Sequence, residues 1–578
     1  MSSPRGEQPE GNGEGRRTVL RTLRVCGFVA TAAVVAGLGV RTQTRWGAEQ
    51  AALFRHLDLA VLAFFLIDAV LRAALAERTL RHLREHKLDL TVVLALLQAV
   101  AGTRWAWAWF LARQTVAYAV GPRESGRYRR LVSQLRLHPA RLMVGSFAGA
   151  ILVGTVLLSL PMATPGAERL GVVDSLFTAT SATCVTGLIV KDTGSDFTLF
   201  GQLVILVLIQ LGGLGIMTFS VSLVLAFGRQ ISKSREVVMQ DVLDQDSVHE
   251  VVSLVRFIAL ATLVAEAVGA GALYFCFAPR HGHSLPTLYL AIFHSISAFC
   301  NAGFSLFRDS LMGYRGDVWV NVVMMTLIVV GGLGFPVLRN LLVVVSGPRL
   351  SVGAVRRLRI QTKVVLATSL ALIVLGGAVF YVVERNRRLA GLGTGETVLA
   401  CTFQSVTTRT AGFNTVDIGQ VGGAGLLLMM CLMFIGASPG STGGGVKTTT
   451  FAILLQTMRA SLRRRPKVEL FQRTVPTVVV RRAVALVVLS ALLCLVGATA
   501  LMTVESQPFE SVAFEAISAF GTVGLSAGAT THLTTAGRLI ITVLMFVGRL
   551  GPLTMALSLV GEARPAAYGY PEEHMMVG

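Results

Sequence analysis

Four short segments of this chain combine small side chains with a single glycine, a composition suited to binding a dehydrated cation. They read SATCVTGL (181–188), SAFCNAGF (297–304), SVTTRTAGF (405–413) and SAFGTVGL (518–525). A cation that leaves water needs replacement oxygen ligands, and rings of backbone carbonyls supply them in potassium filters. Glycine readily adopts the unusual backbone angles that aim consecutive carbonyls at one axis. We therefore predict that these four segments coordinate a cation.

The candidate ion ligands are the three residues that end at each glycine. They are Val185, Thr186, Gly187, Asn301, Ala302, Gly303, Thr410, Ala411, Gly412, Thr522, Val523 and Gly524. The four glycines are separated by 116, 109 and 112 residues, which indicates a repeated structural unit. Small residues are also common where transmembrane helices pack together. Four copies at nearly equal spacing favour a filter over packing.

Long apolar runs flank each glycine segment and are the elements that must position it. A transmembrane helix needs about 20 mostly apolar residues, and such runs come in pairs from residue 141 onward. The pairs define pore units at 141–228, 250–346, 360–460 and 480–562. The predicted fold is an all-α integral membrane protein with four tandem span–pore-helix–span units around a pseudo-fourfold pore.

The composition of the whole chain agrees with a membrane protein. Of 578 residues, 53% are hydrophobic and 15% are charged, against about 25% charged residues in soluble domains; the mean hydropathy is +0.65. These values exclude a soluble enzyme and a disordered chain. The net charge of +20 lies mainly between apolar runs, where the positive-inside rule explains it, so we expect no nucleic-acid partner.

The placement of basic residues also predicts the topology. The connectors 339–363 and 459–482 are rich in arginine, which places them in the cytoplasm and the four glycine segments on the outer side. Before the repeats we expect a disordered cytoplasmic tail (1–20) and an accessory bundle of about four transmembrane helices (21–125). A voltage sensor would need several gating charges, and the last span of this bundle has one internal arginine. The tail 563–578 is expected to be cytoplasmic, like the N-terminus.

The second span of the third unit is interrupted by a stretch that cannot remain helical. Proline and five glycines break it, and in a bilayer such a break is viable only beside protein or water. We predict a flexible loop at 436–448 below the filter that is able to block the pore. Its candidate residues are Gly436, Ser438, Pro439, Gly440, Ser441, Thr442, Gly443, Gly444, Gly445 and Lys447. The spacing differs from a phosphate-binding loop, and no strand precedes it.

Four other polar residues lie inside apolar or pore-helix segments. Arg549 stands in the middle of the last span, where a charge usually faces a pore or a partner, and it completes the candidate gate. His294 is interpreted as a packed polar group. Glu266 and Glu515 are weaker functional candidates.

From residue 141 to the end, the chain resembles the Trk/Ktr/HKT superfamily of potassium-uptake proteins, most closely its KtrB-type membrane subunits. The resemblance includes the four glycine segments, GASPGSTGGGVKTTT (436–450), MFVGRLGPLT (545–554) and the tail AYGYPEEHMMVG. It implies that the listed carbonyls form the filter, that the loop 436–448 gates it, and that Arg549 is an electrostatic barrier beneath it. Glycine at all four filter positions implies potassium as the ion.

The resemblance also implies partners and a location. A homodimer in the cell membrane is expected, with a cytosolic ring of KtrA- or TrkA-like RCK subunits that binds adenine nucleotides. No covalent cofactor is expected; K⁺ is the transported ion and Na⁺ a candidate activator. The competing hypothesis is a Na⁺- or H⁺-coupled symporter with alternating access. Inverted repeats would mark that class, whereas these repeats run in one orientation. No HExxH motif is present, and enzyme activity is not expected.

Overall fold

The computed structural model describes residues 139–165, 170–227, 248–345 and 358–560. The predicted N-terminal tail (1–20), the accessory bundle (21–125) and the C-terminal tail (563–578) lie outside the described residues.

The regular secondary structure of the described residues is helical apart from one hairpin of two-residue strands, β1 (Glu469–Leu470) with β2 (Arg473–Thr474). The prediction of an all-α chain is confirmed. In unit 1 the helices are α1 (Pro139–Leu158), α2 (Val172–Thr183) and α3 (Leu199–Phe227). Unit 2 contains α4 (Val248–His281), α5 (Leu285–Phe299), α6 (Val318–Leu333) and α7 (Phe335–Val345).

The other two units repeat this order of a long helix, a short helix, a loop and a second helix that is broken. Unit 3 contains α8 (Ile360–Glu384), α9 (Thr394–Thr407), α10 (Gly423–Phe434) and α11 (Thr448–Leu462). Unit 4 contains α12 (Thr477–Val504), α13 (Phe509–Gly521), α14 (Thr535–Leu550) and α15 (Pro552–Val560).

Three described helices are long and apolar enough to cross a membrane, namely α4, α8 and α12. The pair α6 and α7 passes the same test as a fourth span, with a bend of 102° between them. Large apolar side chains on the outer faces of these helices are exposed, for example Leu263, Leu375 and Leu495. Such a surface is suited to hydrocarbon, since a helix in lipid satisfies its backbone hydrogen bonds internally.

The short helices lie inside the shell that the long helices make. Their phenylalanines are fully buried, including Phe177 of α2, Phe293 of α5, Phe403 of α9 and Phe514 of α13. Close packing of these rings holds each short helix in one position, because a well-packed interior resists displacement. The short helices are therefore rigid supports for the loops that follow them.

Consecutive units contact each other, and the fourth unit contacts the first. Helix α3 packs on α4, α6 on α9, α10 on α13, and α14 on α2. Ion pairs join two of these boundaries: Arg315 Nε donates to Glu396 Oε1 at 2.6 Å, and Arg538 bonds Asp174 across the closing contact between units 4 and 1. The chain thus forms a closed ring of units, which brings the four glycine loops together.

Candidate functional site

The four glycine loops share one backbone conformation. The first of the three predicted ligand residues has a positive φ in every loop: 56° at Val185, 58° at Asn301, 71° at Thr410 and 49° at Thr522. The glycine that ends each triplet also has a positive φ: 94° at Gly187, 72° at Gly303, 82° at Gly412 and 89° at Gly524. Left-handed conformations are costly for β-branched residues, so tertiary packing must hold three of these four positions.

The loops meet glycine against glycine in chain order. A methyl group on Gly187 would overlap the carbonyl oxygen of Ala302, and one on Gly303 would lie 2.9 Å from that of Ala411. A methyl group on Gly412 would lie 2.6 Å from the carbonyl oxygen of Val523.

The ring closes at the fourth loop, where a methyl group on Gly524 would overlap the carbonyl oxygen of Thr186 in the first loop. The carbonyl that precedes each glycine therefore lies beside the glycine of a neighbouring loop. This arrangement brings all twelve predicted ligand residues to one place in the fold, and each of the twelve is buried or half-buried.

Hydroxyl groups fix the first two loops to their short helices. Ser181 Oγ donates to the carbonyl oxygen of Leu188 at 2.7 Å and accepts from Gly187 N at 3.1 Å. In unit 2, Ser297 Oγ donates to the carbonyl oxygen of Phe304 at 2.7 Å. These bonds hold the ring glycine Gly187 and the residues after the ring glycines, Leu188 and Phe304, which limits how far the two loops can open.

The third and fourth loops depart from this pattern. Segments 181–188 and 405–413 both begin with serine, but Ser405 Oγ bonds the carbonyl oxygens of Leu372 and Ile373 on α8. Thr407 performs the loop-fixing role instead, since its Oγ1 donates to the carbonyl oxygen of Phe413 at 2.5 Å. Segment 405–413 is one residue longer than the others, which shifted the alignment. In unit 4, Ser518 Oγ is buried without a hydrogen-bond partner.

Electrostatically, the ring is a cation-attracting site. The short helices α2, α5, α9 and α13 all end beside it, at Thr183, Phe299, Thr407 and Gly521. A helix C-terminus carries about half a negative charge from its unpaired carbonyls. Four such ends together with the loop carbonyls favour a positive ion and disfavour an anion at this place.

The interrupted segment of unit 3 is an ordered loop between α10 and α11. Its two ends pair as a single bridge between Ile435 and Val446, and Gly436 N donates to the carbonyl oxygen of Val446 at 2.9 Å. Ser438 Oγ accepts from Thr448 Oγ1 at 3.0 Å, and the Ser438 carbonyl accepts from Ser441 Oγ at 2.6 Å. These bonds compensate for the helical hydrogen bonds that the glycines and proline forgo.

Unit 2 anchors one side of this loop. Ser438 N donates to the carbonyl oxygen of Gly332 at 3.1 Å, and Phe335 N donates to that of Gly440 at 2.9 Å. Pro439 contacts the same region, since a methyl group on Gly334 would lie 2.5 Å from its carbonyl oxygen. The loop is thus attached to the break between α6 and α7.

The tip of the loop lies directly against the ring. A methyl group on Gly443 would lie 3.2 Å from Cβ of Thr410, and one on Gly444 would lie 3.1 Å from Cγ2 of Thr522. Thr442 Oγ1 donates to the carbonyl oxygen of Phe299, the last residue of α5, at 3.2 Å. A side chain at either glycine would displace the tip, so the loop covers loops 3 and 4 and the end of α5.

Two basic residues hold the loop tip. Lys447 Nζ donates to the carbonyl oxygen of Gly443 at 2.8 Å. Arg549 Nη1 donates to the carbonyl oxygen of Thr442, and its Nη2 donates to that of Gly212 on α3. Arg549 is 5% exposed, and it joins unit 4, the loop of unit 3 and unit 1. All predicted gate residues therefore lie on the loop or bond to it.

The remaining polar candidates lie behind the ring. His294 Nε2 is 3.0 Å from Ser305 Oγ, and the Glu515 carboxylate accepts from Ser526 Oγ at 2.5 Å. Each acts on the serine two residues after its ring glycine, so both brace a loop from its outer side. The Glu266 carboxylate accepts from Gln210 Nε2 at 3.2 Å and from Cys300 Sγ at 3.8 Å.

One recurrent feature was missed by the sequence reasoning. The second helices of units 1, 2 and 4 carry GGLG (212–215), GGLG (331–334) and GRLG (548–551). The final glycine of each motif has a positive φ, 68°, 91° and 84° in chain order. The first glycine of each motif packs against a backbone carbonyl at the C-terminal end of the short helix in its own unit. These carbonyls belong to Thr183, Phe299 and Phe520. The repeated motif is the sequence signal that could have revealed this feature. Arg549 occupies the second position of the motif, where Gly213 and Gly332 stand in units 1 and 2.

An all-α chain in which buried short helices end at a ring of backbone carbonyls has the architecture of a membrane cation-transport protein. The model of the family described as TrkH, cation transport protein, matches residues 143–563. This match covers more than half of the chain, and the chain belongs to that family.

The chain matches two relatives over nearly the full lengths of those relatives. The Ktr system potassium uptake protein B of Bacillus subtilis is 39% identical over 78% of this chain and 99% of its own. The potassium/sodium uptake protein NtpJ of Enterococcus hirae is 40% identical over 77% of this chain and 98% of its own. Among solved structures, the potassium transporter TrkH from Vibrio parahaemolyticus matches with a TM-score of 0.57 at 18% identity. The structural match covers 88% of this chain and 99% of the Vibrio parahaemolyticus chain. It supports the fold.

Proposed function

We propose that this protein carries potassium across the cell membrane through the ring of glycine loops, and that the loop 436–448 is its gate. The observation that carries the proposal is the closed glycine ring, in which each of four loops places a carbonyl beside a neighbouring glycine. Carbonyl oxygens can replace the hydration shell of K⁺. Relatives are named as potassium or potassium/sodium uptake proteins.

The gate proposal rests on where the loop lies. Thr442, Gly443 and Gly444 contact the ring and the end of α5, so an ion leaving the ring on that side must pass the loop. Arg549 places a positive charge at the same level and bonds the loop. The loop closes the path when Arg549 and Lys447 hold its tip, and displacement of the tip opens it.

The competing mechanism is a Na⁺- or H⁺-coupled symporter with alternating access. That mechanism usually exchanges a central site between two sides by moving one repeat against another. In this protein the ring is made by all four units, and ion pairs join unit 2 to unit 3 and unit 4 to unit 1. A fixed ring with one movable loop favours a channel-like path, with Na⁺ as a candidate activator instead of a coupled substrate.

Regulation and assembly follow from the family resemblance. A cytosolic RCK-type ring of subunits that binds adenine nucleotides would act on the gate from the cytoplasmic side. The membrane subunit would work as a homodimer in the plasma membrane, with both termini in the cytoplasm. The name of the Bacillus subtilis relative refers to a Ktr system, which supports a partner subunit.

The ion assignment is tested by Gly187→Ser in proteoliposomes with K⁺ or Na⁺. The added side chain meets the Ala302 carbonyl and removes the backbone freedom that aims the loop, so we expect the preference for K⁺ over Na⁺ to weaken. Gly528→Ser is the matched control, because Gly528 has nearly the same φ (93°) with open space around it. Unchanged selectivity in Gly187→Ser would contradict the filter assignment.

A further inference from the structure

His294 lies on α5, behind the second glycine loop, and it is fully buried. Its Nδ1 is 2.8 Å from the carbonyl oxygen of Leu290, and its Nε2 is 3.0 Å from Ser305 Oγ. A carbonyl oxygen only accepts hydrogen bonds, so Nδ1 carries the proton of the neutral imidazole and Nε2 is an acceptor. Ser305 Oγ therefore donates to His294.

Aromatic rings hold the imidazole of His294 in this orientation. Phe307 stacks on it, with ring centroids 4.7 Å apart and planes inclined by 25°. Phe277 and Phe293 meet it edge-on, at centroid distances of 5.6 and 6.0 Å. An unpaired charge is costly in such surroundings, which favours the neutral imidazole. One ring nitrogen thus donates and the other accepts.

Ser305 converts this contact into a constraint on loop 2. It lies two residues after the ring glycine Gly303, and its Oγ also accepts from Phe307 N at 3.0 Å. One hydroxyl group therefore joins the turn after the ring glycine to the side chain of His294. Since α5 is packed tightly inside the protein, the turn is fixed to a rigid support.

His294 also contacts loop 3. Phe413 directly follows the ring glycine Gly412, and its ring centroid lies 6.4 Å from that of the imidazole, with the planes inclined by 37°. Phe413 is fully buried, and its carbonyl oxygen accepts from Thr407 Oγ1. A single side chain therefore touches the residues that follow the ring glycines of two neighbouring loops.

The equivalent position, nine residues before the ring glycine, differs in each of the other units. It is Thr178 in unit 1, Phe403 in unit 3 and Glu515 in unit 4. Within the described residues, Thr178 Oγ1 is buried without a hydrogen-bond partner, and phenylalanine has no polar group. Glu515 accepts from Ser526 Oγ in its own unit. His294 therefore gives unit 2 a contact that also involves the loop of unit 3.

We propose that His294 is a positioning residue for the ion preference of the ring, because it holds loops 2 and 3 at a fixed separation. A ring of carbonyls can favour one ion by its size, and loops that are free to move inward would also fit the smaller Na⁺. The inference rests on the proposed function, in which the ring selects K⁺.

The test measures the ratio of K⁺ flux to Na⁺ flux through the full-length chain in proteoliposomes. His294→Phe keeps an aromatic ring but has no acceptor for Ser305, and we expect the ratio to fall about two- to tenfold, the range of one hydrogen bond. His294→Gln offers an amide oxygen as an acceptor and should keep most of the wild-type ratio.

Ser305→Ala removes the same bond from the loop side. It should lower the ratio by a similar factor, and adding it to His294→Phe should lower the ratio no further, because the two changes remove one interaction. Ser305→Ala also carries the test if His294→Phe does not fold.

Ser295→Ala is the matched control on the same helix. Ser295 is buried beside His294 in the sequence, and its Oγ donates to the carbonyl oxygen of Glu266 on α4 at 2.7 Å. Its removal costs one buried hydrogen bond that does not reach a loop, so the flux ratio should stay at the wild-type value. A role in stability alone would lower the Tm of a variant and leave the flux ratio of its folded protein unchanged.

Three results would overturn the proposal: a wild-type ratio in Ser305→Ala, a loss in His294→Gln as large as that in His294→Phe, or a loss in Ser295→Ala as large as that in Ser305→Ala. Gly187→Ser, measured in the same series, separates this failure from failure of the filter. A weakened preference in Gly187→Ser leaves the filter assignment in place, whereas an unchanged preference overturns the filter itself.

Discussion

Units 1, 2 and 4 break their second helices in the same way, and unit 3 does not. In the first group a single left-handed glycine ends the upper segment, at Gly215, Gly334 and Gly551. In unit 3 the whole stretch 435–447 stands between α10 and α11. Each of the four units contributes one loop to the ring, but within the described residues only unit 3 also has a long loop that lies against it. The difference teaches that similar units can share one ring while a single unit supplies the loop that lies against it.

The helix breaks of units 1, 2 and 4 and the loop of unit 3 differ in what they contact below the ring. A one-glycine break redirects a helix and leaves its first glycine packed against the short helix, as Gly212 packs on Thr183. The loop of unit 3 instead reaches Thr410, Thr522 and Phe299, which belong to three different units. Glycines 443 and 444 permit this approach, since any side chain would overlap the ring threonines. The loop is therefore built for contact with the ring.

Removing the loop tip should have the largest effect and tests the contrast directly. Deleting residues 440–445 removes the Arg549 partner Thr442 and the glycines that face the ring. If the loop is closed in nine of ten molecules, we expect K⁺ flux to rise about tenfold. Flux into proteoliposomes, normalised to folded protein, measures it. Flux equal to or below that of the wild type would mean that the loop is no gate.

Arg549 provides the next, smaller effect. Arg549→Gln removes charge-assisted bonds to Thr442 and Gly212, and a loss of ~1 kcal/mol of loop stabilisation would raise flux about fourfold from the same starting population. Arg549→Lys keeps the charge but lacks the planar fork that reaches two carbonyls, so an intermediate flux is expected. If both variants conduct like the wild type, Arg549 neither holds the loop nor opposes cations.

The smallest expected effect compares the loops of units 1 and 4. Ser181 Oγ makes two hydrogen bonds that fix its loop, whereas Ser518 Oγ at the equivalent position makes none. Ser181→Ala should lower the free energy of unfolding by about 1–2 kcal/mol, and Ser518→Ala should be nearly neutral. Thermal or chemical unfolding in detergent measures both variants. Equal losses would contradict the assigned difference between the two loops.

Much of this site is readable in the sequence because it is built from repeated local signals. The four glycine segments and the proline–glycine interruption identify themselves by composition and spacing. The left-handed φ of Val185 could not be predicted, since a β-branched residue avoids that region unless tertiary contacts hold it. The roles of Ser405 and Thr407 could not be predicted either. Segment 405–413 has one extra residue, and as a result the hydroxyl of Thr407, not that of Ser405, reaches the carbonyl oxygen of Phe413.

One contact of Arg549 agrees with what the sequence predicts, and its other contact could not be predicted from the sequence. Its position in an apolar helix predicts that it faces a pore or a partner, and the family resemblance implies a place beneath the filter. Its bond to Thr442 joins it to the loop. Its second bond, to Gly212, joins residues far apart in the chain and depends on closure of unit 4 against unit 1. Only the packed ring brings those two groups together.

The central claim is that contact between glycines in the ring, and not backbone strain alone, makes the ion path. It is tested most directly by K⁺ flux through Gly524→Ala beside Gly528→Ala in proteoliposomes. The two glycines have φ of 89° and 93°, but only Gly524 faces another loop, at Thr186. Because the strain of a left-handed alanine, about 1–2 kcal/mol, is common to both, we expect flux to be lost in Gly524→Ala and retained in Gly528→Ala. Equal flux in the two folded variants would contradict the account.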